Sequence, residues 1–255
     1  MRTKIIAGNW KMNKTNAEAA AFASDLKTKI ASIQKTEMVV CPPFTALTIV
    51  AEKLQGSRVK VGAQNLFWES SGAFTGEIST EMLESAGCHY VIIGHSERRQ
   101  YFGETNQSVN KKIKQTLRSR LIPICCIGET LQQRQNNQTE PVVRTQIIEG
   151  LEGITAEQVQ RMVIAYEPVW AIGTGVTATP EQAEEVHHFI RELLRMQYND
   201  QTAATVPVLY GGSVKPDNIR ELISKPNIDG ALIGGASLNV DGFVQMIKVS
   251  EQLFG

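Results

Sequence analysis

The sequence predicts an α/β protein, a single (β/α)8 barrel with eight parallel strands. Short β-rich segments alternate with longer amphipathic segments along the whole chain of 255 residues. Most of the short segments are apolar at nearly every position, which is typical of strands that are covered on both faces. Strand–helix alternation implies right-handed crossovers and a parallel sheet. Eight such units in about 250 residues favour a closed barrel over an open sheet.

The predicted elements follow one another without interruption. The eight predicted strands are 4–9, 37–42, 59–64, 89–94, 121–128, 162–167, 206–211 and 229–234. The clearest amphipathic segments between them are 17–32, 45–54, 106–119, 139–150, 180–198 and 239–252. No linker, charge block or low-complexity tract breaks the alternation, so we expect residues 1–255 to form one domain.

Composition and net charge argue against nucleic acid and membranes as binding partners. Hydrophobic residues make up 42% of the chain and charged residues 20%, which is an ordinary globular balance. The 26 Lys and Arg equal the 26 Asp and Glu, so no overall field recruits nucleic acid or an anionic membrane. No apolar stretch reaches the roughly 18 residues of a membrane span, and no signal-peptide core precedes the first strand. We expect a cytoplasmic protein that binds neither nucleic acid nor membrane.

The cysteines and histidines indicate neither a disulfide framework nor a metal site. The four cysteines form no CxxC pair, and Cys125 and Cys126 on one strand would point to opposite faces. Reduced, buried thiols are the favoured interpretation. His187 and His188 are adjacent on a predicted helix and cannot form an i, i+4 metal pair. We therefore expect no metal ion.

The carboxyl ends of the strands are where barrels of this kind build active sites, on the loops that follow each strand. Polar residues at these positions are therefore candidates for function. They are Asn9, Lys11, Gln64, Asn65, His95, Glu129, Glu167 and Ser213, together with the glycines Gly234 and Gly235.

Glu167 ends the sixth predicted strand, in the segment AYEPVWAIGTG. Pro168 would stiffen the first hinge of a lid, 171–172 would cover the site, and the glycines of 173–175 permit unusual backbone angles. A lid that excludes water strengthens electrostatic interactions and protects a reactive intermediate. Glu167 is the candidate base under this lid. The alternative is a solvated residue where a strand meets a loop.

His95 and Lys11 are the other candidates for chemistry. His95 closes the fourth predicted strand in YVIIGHSERR, next to residues that begin a helical turn. The positive end of a helix dipole disfavours imidazolium, so we expect a neutral imidazole that donates to a carbonyl oxygen; the alternative is a helix-capping core histidine. Lys11 follows the first strand in GNWKMNK, where an electrostatic role fits better than a Schiff base. An ordinary surface lysine is the alternative.

Glycine pairs follow the last two predicted strands, in YGGSVKP (210–216) and LIGGASL (232–238). Glycine lets the backbone approach an anion closely, and N–H groups at a helix start supply donors. Barrels commonly hold phosphate on these two loops, although each pair taken alone predicts only a tight turn. A carboxylate, an imidazole and an ammonium beside a phosphate site suit proton abstraction next to a carbonyl in a small phosphorylated sugar.

Several motifs, in order along nearly the whole chain, resemble the triosephosphate isomerase family. They are GNWKMN, QN (64–65), GAFTGEIS (72–79), VIIGHSERR, CIGE (126–129), AYEPVWAIGTG, YGGSV and IGGASL. The resemblance implies the TIM barrel fold and interconversion of dihydroxyacetone phosphate and glyceraldehyde 3-phosphate through an enediol(ate), a step of glycolysis and gluconeogenesis. No cofactor is expected, because neither electrons nor groups leave the substrate.

The resemblance also implies residue roles. Glu167 would be the base, His95 the electrophile that handles the oxygens' protons, and Lys11 the cation that stabilises developing charge. Asn9 would add a polar contact, Glu97 would support the site, and the phosphate would meet the backbone at Gly173, Ser213, Gly234 and Gly235. Val176 departs from the lysine that many relatives carry at the distal hinge of the lid, which puts lid kinetics rather than the reaction in doubt.

The family resemblance further implies a homodimer. The GAFTGEIS loop, 72–79, would insert near Lys11 of the partner subunit, with Thr75 at its tip. Taken from the residues alone, this loop is a polar excursion flanked by glycines, and a mobile surface loop is the alternative.

Two other functions fit parts of the pattern. A Schiff-base aldolase would place its lysine inside the barrel mouth, whereas Lys11 lies beyond a strand. A phosphometabolite-binding protein without activity would be expected to lack one of Glu167, His95 and Lys11, and all three are present.

Overall fold

The computed structural model describes residues 2–172 and 177–254. Eight parallel strands close into a barrel in which each strand pairs with the next along the chain and the last pairs with the first. The predicted fold class is therefore confirmed. The strands are β1 Ile5–Asn9, β2 Glu37–Cys41, β3 Val59–Ala63, β4 Cys88–Ile93, β5 Ile122–Ile127, β6 Val163–Tyr166, β7 Val208–Tyr210 and β8 Gly230–Ile233.

Helices connect the strands and surround the barrel. In the described part of the chain they are α1 Asn16–Lys29, α2 Leu47–Leu54, α3 Thr80–Ser85, α4 Ser96–Tyr101, α5 Asn106–Leu117, α6 Leu131–Gln135, α7 Thr139–Gly150, α8 Ala156–Val159, α9 Pro180–Gln197, α10 Asp200–Thr205, α11 Ile219–Ile223 and α12 Val240–Phe254. Short 3-10 turns lie at Phe44–Ala46, Val169–Ala171 and Gly235–Leu238.

Two apolar layers follow from the alternation of side chains along each strand. Ile5 and Ala7 of β1 belong to the cluster that fills the barrel, whereas Ile6 between them packs in the layer under the helices. Cys125 and Cys126 also fall in different layers, as predicted. The strands read as continuous apolar runs because both layers exclude water.

Threonine caps define where several helices begin. Thr15 accepts a hydrogen bond from the backbone N–H of Glu18, and the Glu18 carboxylate accepts from the backbone N–H of Thr15. Such a reciprocal box satisfies two donors that the first turn would leave unpaired. The same arrangement starts four further helices, at Thr105, Thr130, Thr155 and Thr179.

The predicted elements agree with the observed ones to within two residues for every strand. The first helix ends earlier than predicted, at Lys29, because the backbone N–H of Ile33 bonds to the Ile30 carbonyl and closes a turn there. All eight strands point the same way, so the residues that follow them are gathered at one end of the barrel.

Candidate active site

A cavity of about 210 Å³ opens at the carboxyl ends of the strands. It is lined by residues from the loops after β1, β4, β6, β7 and β8. Seven of the predicted site residues lie in its wall: Asn9, Lys11, His95, Glu167, Ser213, Gly234 and Gly235. Residues that are distant in sequence thus meet because the parallel strands end at one rim.

Glu167 directly follows β6 and is buried, with 2% of its surface exposed. Its Oε1 lies 3.0 Å from His95 Nε2, and its Oε2 accepts a 2.9 Å hydrogen bond from the backbone N–H of Ser96. Its own backbone N–H continues the strand ladder by donating to the Ile127 carbonyl. The alternative of a solvated strand-end residue is therefore wrong.

Glycines of two neighbouring loops make room for Glu167. A Cβ atom at position 128 would lie 1.7 Å from the Glu167 carbonyl oxygen. A Cβ atom on Gly211, in the first glycine pair, would lie 2.8 Å from Glu167 Cγ. These glycines therefore allow the backbone to close around the carboxylate.

His95 is buried and forms the N-cap of helix α4. Its Nδ1 accepts a 3.2 Å hydrogen bond from the backbone N–H of Glu97, so that nitrogen carries no proton. The ring proton is then on Nε2, which donates to Glu167, and the imidazole is neutral. The Glu97 carboxylate lies 3.6 Å from Nδ1, but two acceptors form no hydrogen bond.

Lys11 lies in the left-handed region of backbone space, with a φ of 52°. A residue other than glycine adopts this conformation only where its surroundings hold it there. Its backbone N–H donates to the Asn9 side chain at 3.0 Å, and its carbonyl accepts from Gln64 Nε2 at 2.9 Å. Its Nζ forms a 2.5 Å ion pair with Glu97. Asn9, Gln64 and Glu97 therefore fix the ammonium at the cavity.

The two glycine loops form part of the cavity wall, together with Glu167 and His95. A Cβ atom on Gly212 would lie 2.3 Å from the Tyr210 hydroxyl, so only glycine fits there. A Cβ atom on Gly234 would lie 3.5 Å from Lys11 Cε, which brings the second pair next to the ammonium. The structure thus assembles both loops, with Ser213 and Gly235, around one concave surface.

Two of the predicted site residues that the structure describes, Glu97 and Thr75, do not line the cavity. Glu97 contacts Lys11 and His95 from outside the cavity wall, and its supporting role stays a prediction. Thr75 is exposed and does not line the cavity of its own chain. Gly173 and Val176 lie outside the described residues.

Sequence reasoning assigned no role to a buried group beside the site. The sequence marks Glu129 only as a polar residue after the fifth predicted strand. Its buried carboxylate accepts hydrogen bonds from Tyr166 and Trp170, which flank Glu167 in sequence, and pairs with Arg134. The available signal was a carboxylate at a strand end with aromatic donors on both sides of the candidate base.

Cys126 lies behind the site, inside the barrel. Burial raises the pKa of its thiol well above the usual range, and the charge of Glu167 raises that pKa further. The thiol therefore stays protonated near neutral pH, and it is no nucleophile there.

The described ranges contain neither a group of His, Cys, Asp and Glu side chains placed to hold a metal ion nor a helix long and apolar enough to cross a membrane. What they contain is a closed (β/α)8 barrel with a buried carboxylate, a neutral imidazole and an ammonium around one cavity. The fold and this set of residues define a barrel of the enzyme class, with its candidate active site at the carboxyl ends of the strands.

Comparison with known proteins identifies the family. The triosephosphate isomerase family profile matches residues 4–250. The chain is 53% identical to triosephosphate isomerase of Endomicrobium trichonymphae over 251 residues, covering 98% of this chain and 100% of that protein. It is 54% identical to triosephosphate isomerase of Carboxydothermus hydrogenoformans over 250 residues, with the same coverage. The chain belongs to the triosephosphate isomerase family, and it is an isomerase.

Proposed function

We propose that the chain interconverts dihydroxyacetone phosphate and D-glyceraldehyde 3-phosphate, an aldose–ketose isomerisation of glycolysis, through an enediol or enediolate. The observation that carries this proposal is the contact between Glu167 and His95, 3.0 Å apart inside the cavity. A base and a neutral hydrogen-bond donor side by side suit proton transfer between the two carbons of a hydroxyketone. Family membership supports the choice of substrate.

Glu167 is the base in this proposal. It removes a proton from the carbon that carries the hydroxyl group and returns it to the neighbouring carbon, which was the carbonyl carbon. In the structure its Oε1 accepts the hydrogen bond of His95 Nε2. The substrate carbonyl oxygen would take that place, and the freed carboxylate would turn toward the carbon. No cation contacts Glu167 in the described residues, so it exchanges partners without breaking an ion pair.

His95 and Lys11 stabilise the oxygens. The Nε2–H of a neutral imidazole donates to the carbonyl oxygen as negative charge develops there, and it then moves protons between the two oxygens. The Lys11 ammonium adds a positive charge at the same rim, held by Glu97 at 2.5 Å. Its fixed backbone means that no reorganisation is needed during the reaction.

The phosphate group would bind at the glycine loops. Ser213, Gly234 and Gly235 line the cavity, with Gly234 next to Lys11, and Gly173 is a further predicted contact outside the described residues. Inorganic phosphate or sulfate should therefore inhibit competitively against dihydroxyacetone phosphate. Inhibition that leaves the KM unchanged would count against this site.

The test of the proposed function uses the purified chain and both triose phosphates. A coupled assay should show interconversion in both directions without added metal or cofactor. In deuterated water, deuterium should appear in the product at the carbon that exchanges its proton. A folded protein that turns over neither compound would refute the proposal.

The alternative function is that of a Schiff-base aldolase, in which Lys11 would form a covalent bond with the substrate. Its ion pair with Glu97 supports an ammonium rather than a free amine. Borohydride reduction in the presence of substrate should leave the mass of the chain unchanged. A stable adduct on Lys11 would favour the aldolase.

We also propose a homodimer. Five large apolar side chains are strongly exposed at loops and helix ends after β1, β3 and β4: Met12, Phe74, Met82, Tyr101 and Phe102. A contiguous exposed apolar patch marks a protein–protein contact, and in this proposal these side chains form such a patch. Phe74 belongs to the loop 72–79 and packs against Phe67 in a tilted arrangement, with ring centroids 4.7 Å apart. The cytoplasmic location likewise remains a prediction.

The dimer is tested by placing a charge on this surface. Phe74→Asp should give monomers with reduced activity in sedimentation and kinetic measurements, because a charge cannot be buried unpaired. Met196→Asp is the matched control, since Met196 is an exposed apolar residue on helix α9. A wild-type chain that sediments as a fully active monomer at micromolar concentration would contradict the proposal.

A further inference from the structure

Glu129 forms a buried junction beside the proposed base. Its Oε1 accepts hydrogen bonds from the Tyr166 hydroxyl at 3.1 Å and from Trp170 Nε1 at 2.9 Å. Its carbonyl oxygen accepts from the backbone N–H of Val169 at 3.0 Å. These three partners precede and follow Glu167 in sequence, so one residue holds the chain on both sides of the carboxylate.

Arg134 completes this junction from helix α6. Its Nη1 lies 3.2 Å from Glu129 Oε1, and its guanidinium carbon lies 4.8 Å from the centre of the Trp170 ring. A planar guanidinium can pair with a carboxylate at its edge while it stacks on an aromatic face. In the described part of the chain, Arg134 is the cation within ion-pair distance of Glu129.

Because Glu129 is buried, its carboxylate depends on the positive charge of Arg134 to stay in place. The Glu129 side chain is fully buried, and an unpaired charge there is strongly unfavourable. Without Arg134 the carboxylate would turn toward water, away from the Tyr166 hydroxyl and Trp170 Nε1. Burial and the charge of Glu129 raise the pKa of Tyr166 well above its usual value, so that phenol remains a donor that needs this acceptor.

We propose that Arg134 is a positioning residue for the isomerisation: clamped between Glu129 and Trp170, it fixes the chain on both sides of Glu167. It touches neither the cavity nor the reacting atoms. Its effect reaches the carboxylate of Glu167 through Tyr166 and Trp170. This inference rests on the proposed role of Glu167 as the base.

The variant Arg134→Ala tests the proposal by separating kcat from KM. Displacing a catalytic group by about 1 Å lowers a rate by roughly a hundredfold, so we expect kcat to fall by about tenfold to a hundredfold. The KM should stay near that of the wild type, because the glycine loops after β7 and β8 are untouched. A loss of folded protein alone would lower the active concentration and leave kcat per folded molecule unchanged.

Arg144→Ala is the matched control. Arg144 stacks on Phe189 with its guanidinium carbon 5.2 Å from the ring centre, on helices α7 and α9 away from the cavity. Arg144→Ala removes the same kind of arginine–aromatic contact and should leave kcat unchanged. Equal kcat values for Arg134→Ala and Arg144→Ala would overturn the proposal.

A double-mutant cycle identifies the route. Trp170→Phe keeps the aromatic ring and removes the donor to Glu129. Because both changes act through one carboxylate, the kcat loss of the double variant should be smaller than the product of the two single losses. Losses that multiply would overturn the shared route.

A conservative variant covers the case in which Arg134→Ala does not fold. Arg134→Lys keeps the charge but loses the planar stack, so its kcat should lie between those of the wild type and the alanine variant. A wild-type kcat in Arg134→Lys would overturn the proposal. Glu167→Gln is assayed in parallel: if it remains active, the proposed function fails, whereas its inactivity beside a fully active Arg134→Ala overturns this inference alone.

Discussion

Two buried carboxylates at opposite ends of the barrel show how equal burial serves different purposes. Glu167 follows β6 at the carboxyl end, and Asp229 precedes β8 at the amino end; 2% and 0% of their surfaces are exposed. Glu167 meets one backbone N–H and one neutral imidazole. Asp229 meets Arg2, Lys4 and Arg191 as well as the backbone N–H of Val208.

The partners of each carboxylate decide what it can do. Burial alone would raise the pKa of Asp229, but the charges of Arg191 and Lys4 and the bond from Arg2 outweigh it, so the pKa lies below the usual value. Asp229 thus stays ionised and fixed, and its contribution to stability is lost only as pH falls through that lowered pKa. Glu167 lacks such cations in the described residues, which leaves it able to exchange partners with a ligand.

The largest effect on stability is expected at the amino end. Asp229→Asn removes the charge that three buried or half-buried cations share, and breaking such a cluster costs about 3–5 kcal/mol. Urea unfolding at fixed protein concentration measures this loss, and kcat per folded molecule should not change. Asp200→Asn is the control, because Asp200 pairs with Arg195 in solvent and its loss should hardly alter stability. A lowered kcat with unchanged stability would erase the distinction between the two ends.

The strands and their order were predictable because burial on both faces makes each strand a continuous apolar run. All eight lie within two residues of prediction. Helices such as α8 and α11, four and five residues long, left no periodic signal, since they complete little more than one turn. The organisation of residues 1–255 as one domain stays a prediction.

The order of the strands predicted which residues meet at the site, but not the side-chain contacts between them. Parallel strands bring their carboxyl ends together, so His95, Lys11 and Glu167 were expected at one rim. The contact of Glu129 with Tyr166 and Trp170 spans 37 and 41 residues and depends on side-chain direction, which apolar periodicity does not encode. A neutral His95 was expected because the residue lies at the start of a helix. The hydrogen bond that its Nδ1 accepts from the backbone N–H of Glu97 is a more direct reason, because that nitrogen then carries no proton.

A smaller effect is expected from His187, which lies between the two ends. It is fully buried, its Nδ1 lies 3.3 Å from the Asn227 carbonyl, and its ring packs on Tyr166. Burial lowers its pKa from 6.5 to about 3. The unfolded state therefore takes up the proton first as pH falls, so stability is full above about pH 6.5 and is lost toward about pH 3.

His187→Gln should remove this dependence. Between about pH 7 and pH 4.5 the wild type should lose about 2.5 kcal/mol more unfolding free energy than the variant. Urea unfolding at both pH values gives the difference. Parallel losses in the two proteins would show that His187 titrates normally in the folded state.

The smallest effects on stability are expected at two glycines, Gly128 at the carboxyl end of the barrel and Gly230 at the amino end. A Cβ atom on Gly128 would lie 1.7 Å from the Glu167 carbonyl oxygen, and one on Gly230 would lie 1.9 Å from the Ile5 carbonyl oxygen. Alanine at either position should destabilise by about 1–3 kcal/mol through overpacking. Only Gly128→Ala should also lower kcat, because it displaces Glu167. Equal kcat values for the two variants would contradict the special position of the carboxyl end.

The kcat of Glu167→Gln tests the central claim most directly. Glutamine keeps the shape and polarity of the side chain and removes the base. The predicted result is a fall in kcat by about 10²–10⁴-fold, the range for losing acid–base catalysis, while the KM changes much less. Deuterium exchange from solvent into dihydroxyacetone phosphate should fall in parallel. A folded variant that keeps more than about a tenth of the wild-type kcat, a loss below that range, would contradict the account.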